Sequence, residues 1–327
     1  MNSPTNENQT ETQRGTRKSL ASRKRQDRNA SRMYIALTVF PIIILLAVVI
    51  TLFVRTEPIF GKFPLQDLLL GKIWKPSQGL FGFLPFILGS LWVTVVAMIF
   101  AVPVSFFTSI YLSEYAHSFI KGIIKPIIDI LAGIPSVVYG LWGVLVIVPW
   151  VQNSVRPFAT QNLAFIPFFQ SKNPTGYGIL AGGLVLAVMV TPFIIAIIYE
   201  VMRTVPQGLH EASLAVGATR WQTVRYVVLP KTLSGLVAGV VLGTSRAFGE
   251  TLAVLMVVGN VANIPGSIFD AAYPLPALIA NNYGEMMSIP LYDSALLGAA
   301  LLLLIIVLIF NLVSAVVLRR MMARSMA

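Results

Sequence analysis

The segment from Met33 to Val54 carries no charged residue. At ~1.5 Å per residue, a helix over it is ~33 Å long and covers the ~30 Å hydrocarbon core of a bilayer. Five further apolar stretches follow, at 84–112, 126–151, 177–200, 233–258 and 293–318. Inside lipid each backbone N–H and C=O must be satisfied within its own segment, so runs of this length fold as helices. The chain therefore reads as an all-α membrane protein with six transmembrane helices. Charge content agrees: 11% of residues are charged, against roughly 25% in a soluble domain. There is no cysteine, and His117 and His210 are the only histidines. This composition excludes disulfides, thiolate zinc sites, a cysteine nucleophile and a multi-histidine metal centre. No catalytic residue, metal or cofactor is assigned.

Residues 1–32 are polar and hold eight of the 24 Lys/Arg residues. They read as a disordered basic tail. A cleaved signal peptide is not expected: the apolar run is longer than an h-region, the leader before it is long, and Val54-Arg55-Thr56 is no small-residue cleavage site. Six crossings put both termini on one side. If that side is cytoplasmic, it carries 17 Lys/Arg and the outer segments carry 6, namely Arg55, Lys62, Lys72, Lys75, Arg156 and Lys172. The basic bias thus places both termini in the cytoplasm. Without the tail the counts are 9 and 6, so the orientation leans on the tail. The net charge of +11 follows the membrane rather than nucleic acid, and no nucleic-acid partner is expected. The organisation is a tail (1–32), a first transmembrane helix (33–54), an external loop (55–83), a core (84–318) and a cytoplasmic end (319–327). Within the external loop, Pro64 to Gly71 has the start and stop residues of a short helix.

Loop 201–232 is too long for a plain connection. Thr204 can cap a helix starting at Pro206, Glu211 lies early in it, where the helix dipole favours an acid, and Gly217 can end it in the left-handed region. A second short helix starts near Thr219 and carries Trp221, Val224 and Val228, before Leu229-Pro230 leads into the fifth span. Two short helices with apolar positions on the water side form either a knob for a groove on a partner or a hairpin packed on its own bundle.

Glu211-Ala212-Ser213, Gly217 six positions after the glutamate, and Leu229-Pro230 twelve and thirteen after the glycine resemble the coupling-loop motif of ABC importer permeases. Ser213 stands where that motif has a second alanine, and Val227 where it has isoleucine. Further stretches are similar to the PstC-type permease of the phosphate-specific importer. They are Trp74 to Ser77, Phe81 to Phe86, Tyr111-Leu112-Ser113-Glu114-Tyr115, Gly133 to Gly140 and Ser245-Arg246-Ala247-Phe248-Gly249-Glu250-Thr251. The similarity extends over roughly residues 84–318. It implies a type I, MetI-like permease core in a bacterial plasma (inner) membrane. It also implies partners: a second homologous permease subunit, separate ATPase subunits and an external phosphate-binding protein. Glu211, Ala212, Gly217, Leu229 and Pro230 are then the residues that couple to the ATPase.

Arg246 and Glu250 lie in the fifth apolar stretch, with Arg246 halfway along it. A charge at that depth costs ~2.5–3.5 kcal/mol on insertion scales. At about 100° per residue, Arg246 and Glu250 share a face with Gly235, Gly239 and Gly243, where small residues let another helix approach. The pair reads either as a site for an oxyanion, with Arg246 offering its guanidinium fork and Glu250 holding it, or as a structural ion pair. Glu250 can also accept from a phosphate OH, which sulfate lacks. A helix from Pro230 to Arg246 is a lever of ~24 Å.

These features predict a permease that passes inorganic phosphate inward and is itself no enzyme. No G-x-x-x-x-G-K-[ST] cradle is present, so ATP hydrolysis falls to another subunit. The alternatives are a permease for another oxyanion, and an ion-gradient-driven secondary anion transporter, marked by broken helices at mid-membrane. A membrane enzyme would need clustered acids or histidines at one face, and the sequence has none.

Overall fold

The computed structural model describes residues 7–163, 165–171, 173–285 and 289–325. Residues 1–6, 326 and 327 and Lys172 lie outside the described residues. The chain divides into two compact units, Met1–Val54 and Arg55–Ala327. Among the described residues, six helices are long and apolar enough to cross a membrane.

In the first unit the chain is helical from Glu7, as part of helix α1 (Glu7–Phe60). The tail is therefore not the disordered segment that its charge predicts. Residues 7–32 contain no proline and a single glycine, and they are rich in Arg, Lys, Gln, Glu and Ala. These straight-chain residues favour helix, so the hydrogen-bonding register runs on into the apolar span. Most of the span's large apolar side chains from Met33 to Val54 are exposed, Val49 and Leu52 being half-buried, as a lipid-facing or partner-facing helix requires.

The second unit begins with a small subdomain over residues 55–83. A short helix α2 (Leu65–Leu70) ends at Gly71, as the Pro64–Gly71 pattern predicts. It is followed by the antiparallel ribbon β1 (Trp74–Lys75) and β2 (Leu80–Phe81), with Trp74 paired to Phe81. Trp74 meets Phe81 and Phe86 edge-on, with ring centroids 5.6 and 5.1 Å apart. Phe83, Leu278 and Leu296 are fully buried in the same cluster. The ribbon thus caps one end of the bundle with an aromatic core.

Helices α3 (Leu84–Ile110) and α8 (Ile179–Arg203) form the centre. They run in parallel. Gly182 and Gly183 lie against Val93 and Val96. Further along, the Ser105 and Ser109 hydroxyls donate to the Thr191 and Ile195 carbonyls at 3.2 and 3.3 Å. With no hydrophobic drive between helices in lipid, small residues and interhelical hydrogen bonds of this kind supply the attraction.

The third crossing differs from the stretch 126–151. Helix α4 (Ser118–Gly133) is separate and packs along the end of α8, where Lys125 pairs with Glu200 at 2.6 Å. It stops because Pro135 disfavours helical geometry at Ile134, which is extended. The crossing itself runs from Ser136 to Asn162. It consists of α5 (Ser136–Trp142), α6 (Val148–Trp150) and α7 (Arg156–Asn162), joined by π turns. Both pieces are rich in Ile, Val and Leu, so hydropathy alone merges them.

After α8 come α9 (Gln207–Ala215) and α10 (Arg220–Thr223), then α11 (Leu229–Phe248) and α12 (Leu252–Val257). Helices α13 (Leu275–Asn282) and α14 (Tyr292–Ser325) complete the unit. Pro103 and Pro192 lie inside α3 and α8, and Pro135 at the α4–α5 break.

Phe86 is 0% exposed beneath the ribbon, so Phe86→Ala is expected to destabilise the chain by ~3–5 kcal/mol. A thermal unfolding midpoint of the detergent-purified chain that stays unchanged would contradict this packing.

Candidate functional site: the loop between α8 and α11 and the break after α11

The loop is built by its own turn chemistry. Thr204 does not cap α9. Its hydroxyl donates to the Val201 carbonyl at 2.7 Å, and the residue before the helix is the extended Pro206. Thr204 is still part of the helical end of α8, so it is out of reach of the α9 amides. Glu211 is the fifth residue of nine rather than early, and it is exposed. Gly217 has φ +85°. Its N–H reaches the Leu214 carbonyl at 2.9 Å, and the Ala218 N–H reaches that of Ser213 at 3.2 Å. These two bonds make the Schellman stop that the glycine predicts.

The second helix starts after Thr219. Gln222 N–H donates to the Thr219 hydroxyl at 3.3 Å, and Thr219 N–H donates to Gln222 Oε1 at 2.7 Å, a complete capping box. It does not end before the fifth span. A π turn over Val224–Val228 joins α10 to α11, giving one helix from Arg220 to Phe248. Leu229 and Pro230 sit at its join. Val224 and Val228 face inward and are buried, contrary to their expected place on the water side. The exposed apolar surface is Leu214, Val216, Trp221 and Tyr226, with Val216 85% exposed. Ala212 is exposed beside Glu211. Ser213 and Thr223 share a hydroxyl–hydroxyl bond of 2.9 Å that fixes α9 to α10. The loop therefore presents a rigid apolar knob.

Helix α11 leaves the loop and packs on α8 through its glycines. A Cβ at Gly235, Gly239 or Gly243 would meet Val201, Ile198 or Ile194 respectively. The two helices are antiparallel, and the glycine face is the one that sequence geometry gives. Arg246 follows on this side, its guanidinium carbon 4.8 Å above the Phe193 ring. Phe193 lies near the middle of α8, so the charge is at mid-depth.

The fifth crossing is not one helix. It ends at Phe248, and α12 resumes it at Leu252. Arg246 and Glu250 are therefore not stacked one turn apart, and among the described residues no carboxylate pairs with Arg246. Glu250 turns to the next helix instead, its Oε1 accepting the Ala253 N–H at 3.2 Å. An N–H left open at a helix start in the membrane recruits the acid beside it. The structural ion pair is thus absent, and the guanidinium is exposed.

Two neighbours of this site were not singled out from sequence. Ser245 donates to Asn311 Oδ1 at 2.8 Å, and Asn311 stands in the apolar run of α14, where a polar amide is itself a signal. Tyr139 is buried, within electrostatic reach of Arg246, and donates to the Leu131 carbonyl at 2.8 Å.

Comparisons with known proteins follow this geometry. Residues 101–323 match the family described as binding-protein-dependent transport system inner membrane component. Solved structures share the fold. An inward-facing methionine ABC transporter MetNI chain aligns with TM-score 0.52 at 22% identity, covering 71% of this chain and 93% of that one. A chain of a bacterial alginate importer aligns with TM-score 0.51 at 14% identity, covering 81% and 89%. The fold and the family match are those of a membrane permease of a binding-protein-dependent transport system. The phosphate transport system permease protein PstC of Haemophilus influenzae is 38% identical over 289 residues, 88% of this chain and 90% of that protein. The PstC protein of Xylella fastidiosa is 40% identical over 228 residues, 68% and 69% of the two chains. The chain belongs to the PstC-type branch of that permease family.

At Gly217 no atom lies within 4 Å of a built Cβ, so strain at positive φ alone penalises a side chain there. Gly217→Ala is expected to cost ~1–2 kcal/mol and Gly217→Asn less. Hydrogen exchange should show faster opening of the α9 amides in the alanine variant than in the asparagine variant.

Proposed function

We infer that the chain is the permease subunit of an ATP-driven importer that moves inorganic phosphate across the plasma membrane. The observation that carries the substrate is the similarity to PstC proteins over most of both chains. The coupling knob carries the energy source. It is an apolar, internally fixed projection at the foot of an unbroken helix that reaches Arg246. Glu211, Ala212, Gly217, Leu229 and Pro230 form or brace the surface that meets a separate ATPase subunit. The basic bias puts this loop and both termini in the cytoplasm. A second homologous permease completes the pathway, and an external phosphate-binding protein delivers the cargo.

Arg246 meets the anion on this reading. Its charge lacks a carboxylate partner among the described residues, and an oxyanion supplies the missing counter-charge. Glu250 accepts from a protonated phosphate oxygen through Oε2, Oε1 being used by Ala253. Movement of the knob is carried along α11 as a lever, which gives alternating access a two-state element.

The break at Gly249–Thr251 is the motif that a gradient-driven anion transporter would show, and such a transporter has no use for the knob. The chain reconstituted alone is expected to take up no phosphate under an ion gradient. Uptake there without an ATPase would favour the second reading.

In the assembled complex, Arg246→Ala is expected to lower phosphate import about tenfold or more, the size of a lost hydrogen bond to a charged group. Arg246→Lys, which keeps charge but not the fork, should fall between. Gly217→Pro is expected to abolish uptake; normal uptake would remove the loop from the coupling path. Sulfate or molybdate stimulating ATP hydrolysis as well as phosphate does would point to another oxyanion.

A further inference from the structure

The coupling helix α9 is lightly seated, with no fully buried residue. Leu209 rests on the core, and Ser213 binds α10 within the loop. Its polar link to the rest of the bundle is His210, whose Nε2 lies 3.1 Å from Glu114 Oε2. The two residues are 96 positions apart, and the carboxylate side chain is only 10% exposed.

Glu114 is held for this contact. It lies in the π turn Tyr111–Tyr115 that extends α3. A π turn has a wider hydrogen-bonded ring than an α turn, and such turns recur at functional positions. Leu112 points inward, buried against Ile195 and Tyr199 of α8. Glu114 Oε1 accepts from the Ser113 hydroxyl at 2.9 Å, and Lys121 of α4 donates to the Ser113 carbonyl at 2.8 Å. On the other side, the His210 ring has Nδ1 3.3 Å from the Pro206 carbonyl at the start of α9. The imidazole therefore spans from its own helix to the end of α3.

We propose that Glu114 and His210 are positioning residues that clamp the coupling helix to the end of α3, so that the loop drives α3 directly as well as α8 and α11. The inference rests on the coupling reading of the loop and adds a second transmission path to it. Helices α8 and α11 are both driven through the continuous chain, α8 through Thr204 to Pro206. Helix α3 has no such continuity with the loop. It is tied to α8 by the Ser105 and Ser109 hydrogen bonds, and the side-chain pair adds a direct tie from α3 to α9.

The test uses the complete complex of permeases, ATPase subunits and external binding protein in vesicles. The readout is phosphate imported per ATP hydrolysed. Glu114→Ala and His210→Ala are each expected to lower that ratio about tenfold, the scale of one charge-assisted hydrogen bond, while hydrolysis continues. The double substitution should be no worse than either single one, because both remove the same contact. His210→Gln, whose amide can still donate to the carboxylate, should restore most of the ratio; a merely space-filling role would not distinguish it from alanine. Glu114→Gln keeps size without charge, serves where an alanine variant does not assemble, and should give an intermediate ratio. An unchanged ratio in both the alanine variants and Glu114→Gln, additive single effects, or no recovery with His210→Gln overturns the clamp. Absence of phosphate-stimulated hydrolysis in the unsubstituted complex instead overturns the importer reading on which the clamp rests.

Discussion

The close parallel contact between α3 and α8 is the constraint on which the rest depends. Gly182 and Gly183 remove the side chains that would hold the helices apart, and two serine hydroxyls then reach carbonyls of the facing helix. In lipid no hydrophobic gain favours such an approach, so van der Waals contact and these hydrogen bonds must supply it. Once the pair is formed, α8 offers other faces. The glycine stripe of α11 uses one, α4 uses another, and the ribbon cap closes over the end of α3.

Position on α8 decides what each neighbour does. The stripe on α11 sets its depth, and that depth delivers Arg246 to the ring of Phe193. The same helix continues without interruption into the knob, because the π turn at Val224–Val228 absorbs Pro230 within the helix. Arg246 and the α10 side of the exposed apolar knob therefore belong to one continuous helix. The ribbon and its aromatic core hold the end where α3, α13 and α14 meet.

Much of this was legible in the sequence, and the rest fails for identifiable reasons. Apolar length gives the number of crossings, six among the described residues, but not the bounds of the third. The Gly217 stop and the start at Thr219 follow from local turn chemistry, which needs no knowledge of the fold. Hydropathy cannot see the break before Ser136, since Ile and Val continue on both sides of it; Pro135 is the available sign. The interruption at Gly249 is hidden in the same way, and with it the fact that Glu250 serves α12. Side chains that act across the fold are least accessible. His210 and Glu114, or Ser245 and Asn311, are joined only when distant segments are brought together. Thr204 shows the reverse error: a residue of the right type lies two positions too early to cap.

The interruption after Phe248 has a bearing on solvent. An intact α-helix hides its peptide groups from lipid, whereas a gap of three residues at mid-depth leaves some of them needing other partners. Thr251 satisfies part of this through its own hydroxyl, 3.4 Å from the Gly249 carbonyl. What remains polar there is tolerated only beside protein or water, never beside acyl chains. The half-open crossing thus turns its gap towards protein or water, and a cation beside such a place has less solvation to surrender than one sealed in oil.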